Sequence, residues 1–148
     1  MKISTKVECG IMVLIDICIS SGGESVTVAN IAARQNLSAK YLEQIVPLLK
    51  SARIIRSVKG ARGGYYLARP AKEITLQQVL DALDSSVLGC AEFESIAPSD
   101  VSRTIRECLW QRMADSLRGI ASEITLDDLA AHYYKVTEDN LANLMYYI

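Results

Sequence analysis

The sequence predicts a mainly α chain carrying one small β-hairpin, and three observations predict it. Apolar residues recur at helical spacing in six separate segments. One glycine-rich turn, Lys59-Gly60-Ala61-Arg62-Gly63-Gly64, lies between two short β-type runs. Half of the 148 residues are apolar and 22% are charged, enough to build a core and too apolar for a disordered chain. No apolar run approaches the ~20 residues of a membrane span. The best candidate, Ile11 to Ile19, is short and carries Asp16. Met1-Lys2-Ile3-Ser4 leads into a helical pattern without a small-residue cleavage site, so no signal peptide is expected. Cysteines 9, 18, 90 and 108 form no CxxC pair. That predicts a cytoplasmic protein with reduced thiols and no membrane partner.

The elements follow in order. Ser4 or Thr5 caps a helix to about residue 20, with Val7, Ile11, Leu14 and Cys18 as one stripe. Ser21-Gly22-Gly23 ends it, and Ser25 to Val28 is extended. A brief helix near 29–35 turns Ile31 and Ala32 inward. Asn36-Leu37-Ser38 is a tight turn, and Ser38 caps a helix over 39–51 with the stripe Leu42, Ile45, Val46 and Leu49. Pro47 inside that helix is expected to bend it or weaken it locally. Residues 54–58 and 65–68 flank the glycine-rich turn as a hairpin. Thr75 caps a helix over 76–84, and 85–100 reads as a loop. A long helix spans about 100–121, and Thr125 caps a last one to about 135. The tail Met145-Tyr146-Tyr147-Ile148 is apolar enough to be expected to dock on some surface.

Charge divides the chain. Residues 1–70 hold ten Lys/Arg and four acids, a balance of +6. Residues 71–148 hold six and thirteen, a balance of −7. A basic half joined to an acidic half predicts a polyanion-binding module on a non-binding segment.

Helix, short helix, three-residue turn, helix and basic hairpin is the order of a winged helix-turn-helix. An α-helix fits the DNA major groove, where base edges are distinguishable, and its first turns must be polar. Here those turns carry Ser38, Lys40, Tyr41, Glu43 and Gln44. Ser38 and the helix N-terminus can also hold a phosphate. Lys59 and Arg62 stand at the hairpin tip, where a loop meets a phosphate backbone or minor groove. Lys2, Lys6 and Arg56 are further candidates for phosphate contact. The glycine-rich turn lacks GxxxxGK[ST] and does not lead from a strand into a helix, which argues against a nucleotide loop.

Three stretches together resemble one bacterial family: Met1 to Lys6, the run Leu37-Ser38-Ala39-Lys40-Tyr41-Leu42-Glu43-Gln44, and Lys59-Gly60-Ala61-Arg62-Gly63-Gly64-Tyr65. It is the family of dimeric winged-helix regulators that includes the iron–sulfur cluster regulator IscR, the nitric-oxide sensor NsrR and the cysteine-metabolism repressor CymR. The resemblance is strong over 1–85 and weaker at Leu109-Trp110 and Ile124 to Leu129. It implies a homodimer with Ser38, Lys40, Tyr41, Glu43 and Gln44 at the major groove and Lys59 and Arg62 in the wing. The family usually has Gly-Arg-Tyr after the early Lys, whereas this chain has Val7-Glu8-Cys9, with an acid at Glu8.

Val101, Ile105, Cys108, Leu109, Met113, Leu117 and Ile120 stripe the long helix. A chain this small cannot easily bury such a helix and a tyrosine-rich tail alone. A two-fold dimer covers the stripe and spaces two recognition helices about one DNA turn, roughly 34 Å.

The cysteines fit a cluster poorly. Cluster-binding relatives place three cysteines in the loop before the long helix, but here that loop holds only Cys90. No cofactor is therefore predicted. The alternative is an iron–sulfur-dependent regulator using Cys90 and Cys108, with Glu107 a further candidate ligand. Cys108 also reads as a small hydrophobe in its stripe, and Cys18 as structural. Cys90 is the better redox candidate, and Cys9, about 200° from Val7 at about 100° per residue, is expected to face solvent.

His132 is the only histidine, so no zinc site and no Ser-His-acid array can be assembled. The chain is expected not to be an enzyme. Two units are expected. A DNA-binding winged helix-turn-helix domain spans 1–85, and a loop, dimerisation helix and C-terminal helix packing back on it span 86–148. The expected function is a homodimeric regulator of transcription, a repressor, that reads a pseudo-palindromic operator through the 38–51 helix and the 59–64 wing. A thiol, a metabolite or a partner protein such as a metabolic enzyme would supply the signal.

Overall fold

A computed structural model describes residues 3–89 and 98–148. Helix α1 (Thr5–Ser20) is capped by Ser4, whose hydroxyl accepts from the Val7 N–H. Helices α2 (Val28–Gln35) and α3 (Ala39–Ser51) follow, then β1 (Ile55–Val58) and β2 (Gly64–Leu67). Helix α4 (Leu76–Asp84) starts from a capping box between Thr75 and Gln78. Beyond 98 come α5 (Asp100–Ile105), one π-helical turn (Arg106–Trp110), α6 (Gln111–Glu123) and α7 (Leu126–Tyr146).

The core forms where the apolar stripes of α1, α3 and α4 meet. Leu14, Ile17, Leu42, Ile45, Leu49 and Val79 are almost wholly buried. Gly10 lets α1 approach α4: a Cβ there would overlap the side chain of Leu83. Ile74, Ala121 and Leu126 belong to the same core, so the starts of α4 and α7 and the end of α6 are tied to α1. Two backbone hydrogen bonds lock this junction, Leu76 N–H to the Ile124 carbonyl at 2.8 Å and Leu126 N–H to the Ile74 carbonyl at 3.0 Å.

The structure refines or corrects the sequence reading at several points. The expected long helix runs without a break from Asp100 to Glu123, but its hydrogen bonding switches to a π-helical turn at Arg106–Trp110. The last helix runs to Tyr146, about three turns past the expected end, and its distal part carries exposed Leu141, Leu144 and Met145. The tail does not dock on this chain: Tyr146, Tyr147 and Ile148 are exposed. Cys9 is buried, because α1 is covered on both sides of its Val7 stripe. Pro47 is carried inside an unbroken α3.

Candidate nucleic-acid interface

The turn before α3 is built locally. Asn36 adopts the left-handed conformation at φ 53°, which its short polar side chain tolerates. The Leu37 N–H then reaches the Ala32 carbonyl at 2.9 Å, closing α2. Ser38 caps α3, its hydroxyl accepting from the Tyr41 N–H at 3.3 Å. Leu42, Ile45, Val46 and Leu49 are buried, so the helical period turns Lys40, Glu43 and Gln44 to solvent. Ser38 is exposed beside them. Tyr41 is half-buried and its ring packs on the core edge.

The wing is an antiparallel pair with Arg56 opposite Tyr66 and Val58 opposite Gly64. Its tip closes through the Gly63 N–H on the Gly60 carbonyl at 2.9 Å, with Gly60 at φ 112°. A third segment, unexpected as a pairing partner, steadies it. Val26 and Tyr65 exchange two backbone hydrogen bonds of 3.0 and 2.8 Å. Gly64 is required there, since a Cβ would lie 2.8 Å from the Val26 carbonyl oxygen. The Ser25 hydroxyl donates to the Arg62 carbonyl at 2.6 Å, fixing the tip to the loop after α1. Lys59 and Arg62 are exposed on that tip. Of the expected extended stretch 25–28, residues 25–27 are extended and Val28 already opens α2, because Thr27 caps that helix; the pairing of Val26 was not legible in the sequence.

Other candidate phosphate contacts are placed differently. The Arg56 guanidinium lies over the Tyr66 ring, 5.3 Å from its centroid, and borders the space between the wing and α7. Lys6 is half-buried and its charge reaches Asp84. That carboxyl is held below the usual range mainly by the hydroxyl and N–H of Ser86. Lys2 and Cys90 lie outside the described residues.

Along α5, the π turn and α6, Val101, Ile105, Leu109, Met113 and Ile120 are all exposed, from 45% to 68%. Cys108 is exposed within the π turn. Leu117 differs, packing against the chain's own core. Ala114 and Ala121 are the buried residues of α6, small enough to let it lie close to α4.

The three described thiols sit in different surroundings, Cys9 buried, Cys18 half-buried and Cys108 exposed. Burial, with the Glu8 charge adding, raises Cys9. Burial, with Asp127 adding, pushes Cys18 up to about 11. Among the described residues no three His, Cys, Asp or Glu side chains are grouped to hold a metal ion. A cluster needs several thiolates together, and Cys90, the other cysteine of the expected cluster alternative, lies outside the described residues. His132 is exposed on α7.

A polar helix face beside a basic wing defines a winged-helix DNA-binding protein. The chain belongs to the Rrf2 family, described as iron-dependent transcriptional regulators, whose model matches residues 3–132. It is similar to the transcriptional regulator CymR of Bacillus subtilis strain 168, 32% identical over 148 residues and the whole of both chains. It is also similar to IscR of Pectobacterium atrosepticum, 33% identical over 131 residues, covering 87% of this chain and 79% of that one. The solved structure of CymR, the global cysteine regulator of B. subtilis, superposes with TM-score 0.76 at 32% identity, covering 89% of this chain and 98% of that one. T. potens IscR superposes with TM-score 0.72 at 30% identity, covering 90% and 88%. The chain is thus a DNA-binding regulator of transcription and not an enzyme. Among the described residues no helix is long and apolar enough to cross a membrane.

Proposed function

We propose that the chain is a homodimeric repressor that reads a pseudo-palindromic operator. The observation that carries this reading is the sorting of α3, with four apolar side chains buried and Lys40, Glu43 and Gln44 exposed, in a chain whose wing tip also exposes Lys59 and Arg62. Lys40, Lys59 and Arg62 supply phosphate contacts, and Gln44 and Glu43 read base edges. Ser38 and the α3 N-terminus take a phosphate, and Tyr41 contacts DNA from the core edge. The exposed apolar stripe of α5 and α6 pairs two copies, which sets the half-sites about one turn apart. In this scheme residues 1–85 bind DNA and 86–148 pair the protomers.

Selection from random duplexes tests it. Recovered sites should be inverted repeats with half-sites spaced roughly 34 Å, or a multiple of it. Gln44→Ala should weaken the selected site about tenfold more than scrambled DNA, whereas Lys59→Ala should weaken both alike. Tyr41→Phe removes the hydroxyl while keeping the half-buried ring that packs on the core edge. Equal losses on both duplexes for Gln44→Ala and Tyr41→Phe would reject the assignment.

A further inference from the structure

One groove lies apart from the α3 face, where the end of α1, the wing and the first turns of α7 meet. Its volume is about 580 Å³, in the range of small-molecule sites. Arg56 and Tyr66 border it from the wing, Arg69 from the segment after β2, and Asp127 and Tyr134 from α7. Cys18 lines it from α1. The remaining lining is mostly apolar and small, including Ala68, Pro70 and Ala130.

The groove carries both signs of charge, unneutralised. The ion pairs among the described residues are Arg34–Asp16 and Arg103–Asp100, so neither Arg56 nor Arg69 is paired with Asp127. Arg56 is oriented by the Tyr66 ring beneath it. Arg69 donates only two long hydrogen bonds, 3.4 Å to the Glu73 carbonyl and 3.3 Å to Gln78 Oε1, of the five N–H groups it has. Asp127 has no part in the capping box of α7. Its neighbour Asp128 does that work, accepting from the Thr125 N–H at 2.8 Å and the Thr125 hydroxyl at 2.7 Å. Two planar guanidinium groups suit a carboxylate, and a solitary carboxylate suits an ammonium. A ligand with only a carboxylate would leave Asp127 facing it, and a ligand with only an amine would face two guanidiniums.

We propose that this groove binds a free L-amino acid, with its carboxylate on Arg56 and Arg69, its ammonium on Asp127, and its side chain over Ala68, Pro70 and Ala130. The bound zwitterion joins α7 to the wing, whose tip carries the DNA-contacting Lys59 and Arg62, and so fixes where that tip sits. On the functional reading given above, which this last step rests on, occupancy lowers affinity for DNA.

Calorimetry on the DNA-free full chain tests the site without reference to DNA. Each of the twenty L-amino acids is titrated singly. The tightest is then compared with its amine-only and carboxylate-only analogues. At least one amino acid should bind, both analogues should bind at least about tenfold more weakly, and Asp127→Asn and Arg69→Gln should each raise Kd about tenfold or more. Unchanged circular dichroism in Asp127→Asn keeps loss of fold from imitating loss of site. The site is overturned if no amino acid binds at about 10 mM, or if the carboxylate-only analogue and the Asp127→Asn variant bind undiminished. With a ligand in hand, wild type should lose DNA affinity on adding it, and Asp127→Asn should not. Binding without any effect on DNA would overturn the coupling. Failure to bind DNA at all would overturn the functional reading while leaving the calorimetry to stand.

Discussion

Arg34 donates two hydrogen bonds to Asp16, 2.6 Å from Nη2 to Oδ1 and 3.1 Å from Nε to Oδ2. Asp16 is 1% exposed, and Gln35 Nε2 donates a third bond at 2.7 Å. The pair ties α2 to α1 and holds the scaffold that aims α3. It also engages a basic residue of the helix-turn-helix, so Arg34 holds the fold together here.

Arg34→Ala should therefore lower stability by about 3 kcal/mol, because Asp16 stays buried with only Gln35 to answer it. The half-exposed guanidinium leaves part of that bridge in water, which keeps the loss at the low end of the buried range. Urea unfolding checks it: the midpoint falls and the slope is unchanged. Asp16→Leu removes the buried charge and should be milder than Arg34→Ala. The reverse order would show that the pair is not the source of the loss.

Gly10→Ala should destabilise by about 1–3 kcal/mol, since the new methyl meets Leu83 where α1 and α4 touch. Gly10→Ala combined with Leu83→Ala should recover part of the loss that the two single variants sum to, as residues in contact couple. Strict additivity in thermal unfolding would count against this close approach.

Leu109→Glu puts a charge into the exposed stripe of the π turn. Sedimentation should show a shift from dimer to monomer, and affinity for an inverted repeat should fall by about 100-fold once two half-sites no longer bind together. Arg118→Ala, an exposed polar position on α6, should change neither quantity. A dimer that survives Leu109→Glu would place the interface elsewhere.

The thiols should separate by reactivity. Peptide-resolved alkylation at pH 8 should label Cys108 well ahead of Cys9 and Cys18. Burial holds Cys18 up at about 11, so its labelling should rise only as pH climbs toward that value. Its folded value lies above the unfolded one of about 8.5. The stability this contributes is complete below about pH 8.5 and is lost as pH rises to about 11. Asp127→Asn should move the onset of Cys18 labelling to lower pH by the smaller of the two causes. Rapid labelling of Cys18 at pH 8 would contradict its environment.

The amino-acid order by itself determined the local elements. Ser4, Ser38, Thr75 and Thr125 all cap helices, and those caps act within three residues of themselves. The stripe of α3, the glycine-rich wing tip and the polar face of Lys40, Glu43 and Gln44 follow from short-range periodicity, so they were legible too. Tertiary structure decided what depends on distant partners. Cys9 is buried because a second layer covers α1, which the spacing from Val7 does not reveal. Asp16 interrupts an apolar run, a visible signal, but its partner Arg34 is eighteen positions away and found only in space. The Val26–Tyr65 bridge, the inward turn of Leu117 and the groove shared by Arg56, Arg69 and Asp127 are likewise long-range. Caps and stripes are fixed by neighbours along the chain, whereas burial, pairing and grooves are fixed by which elements pack together.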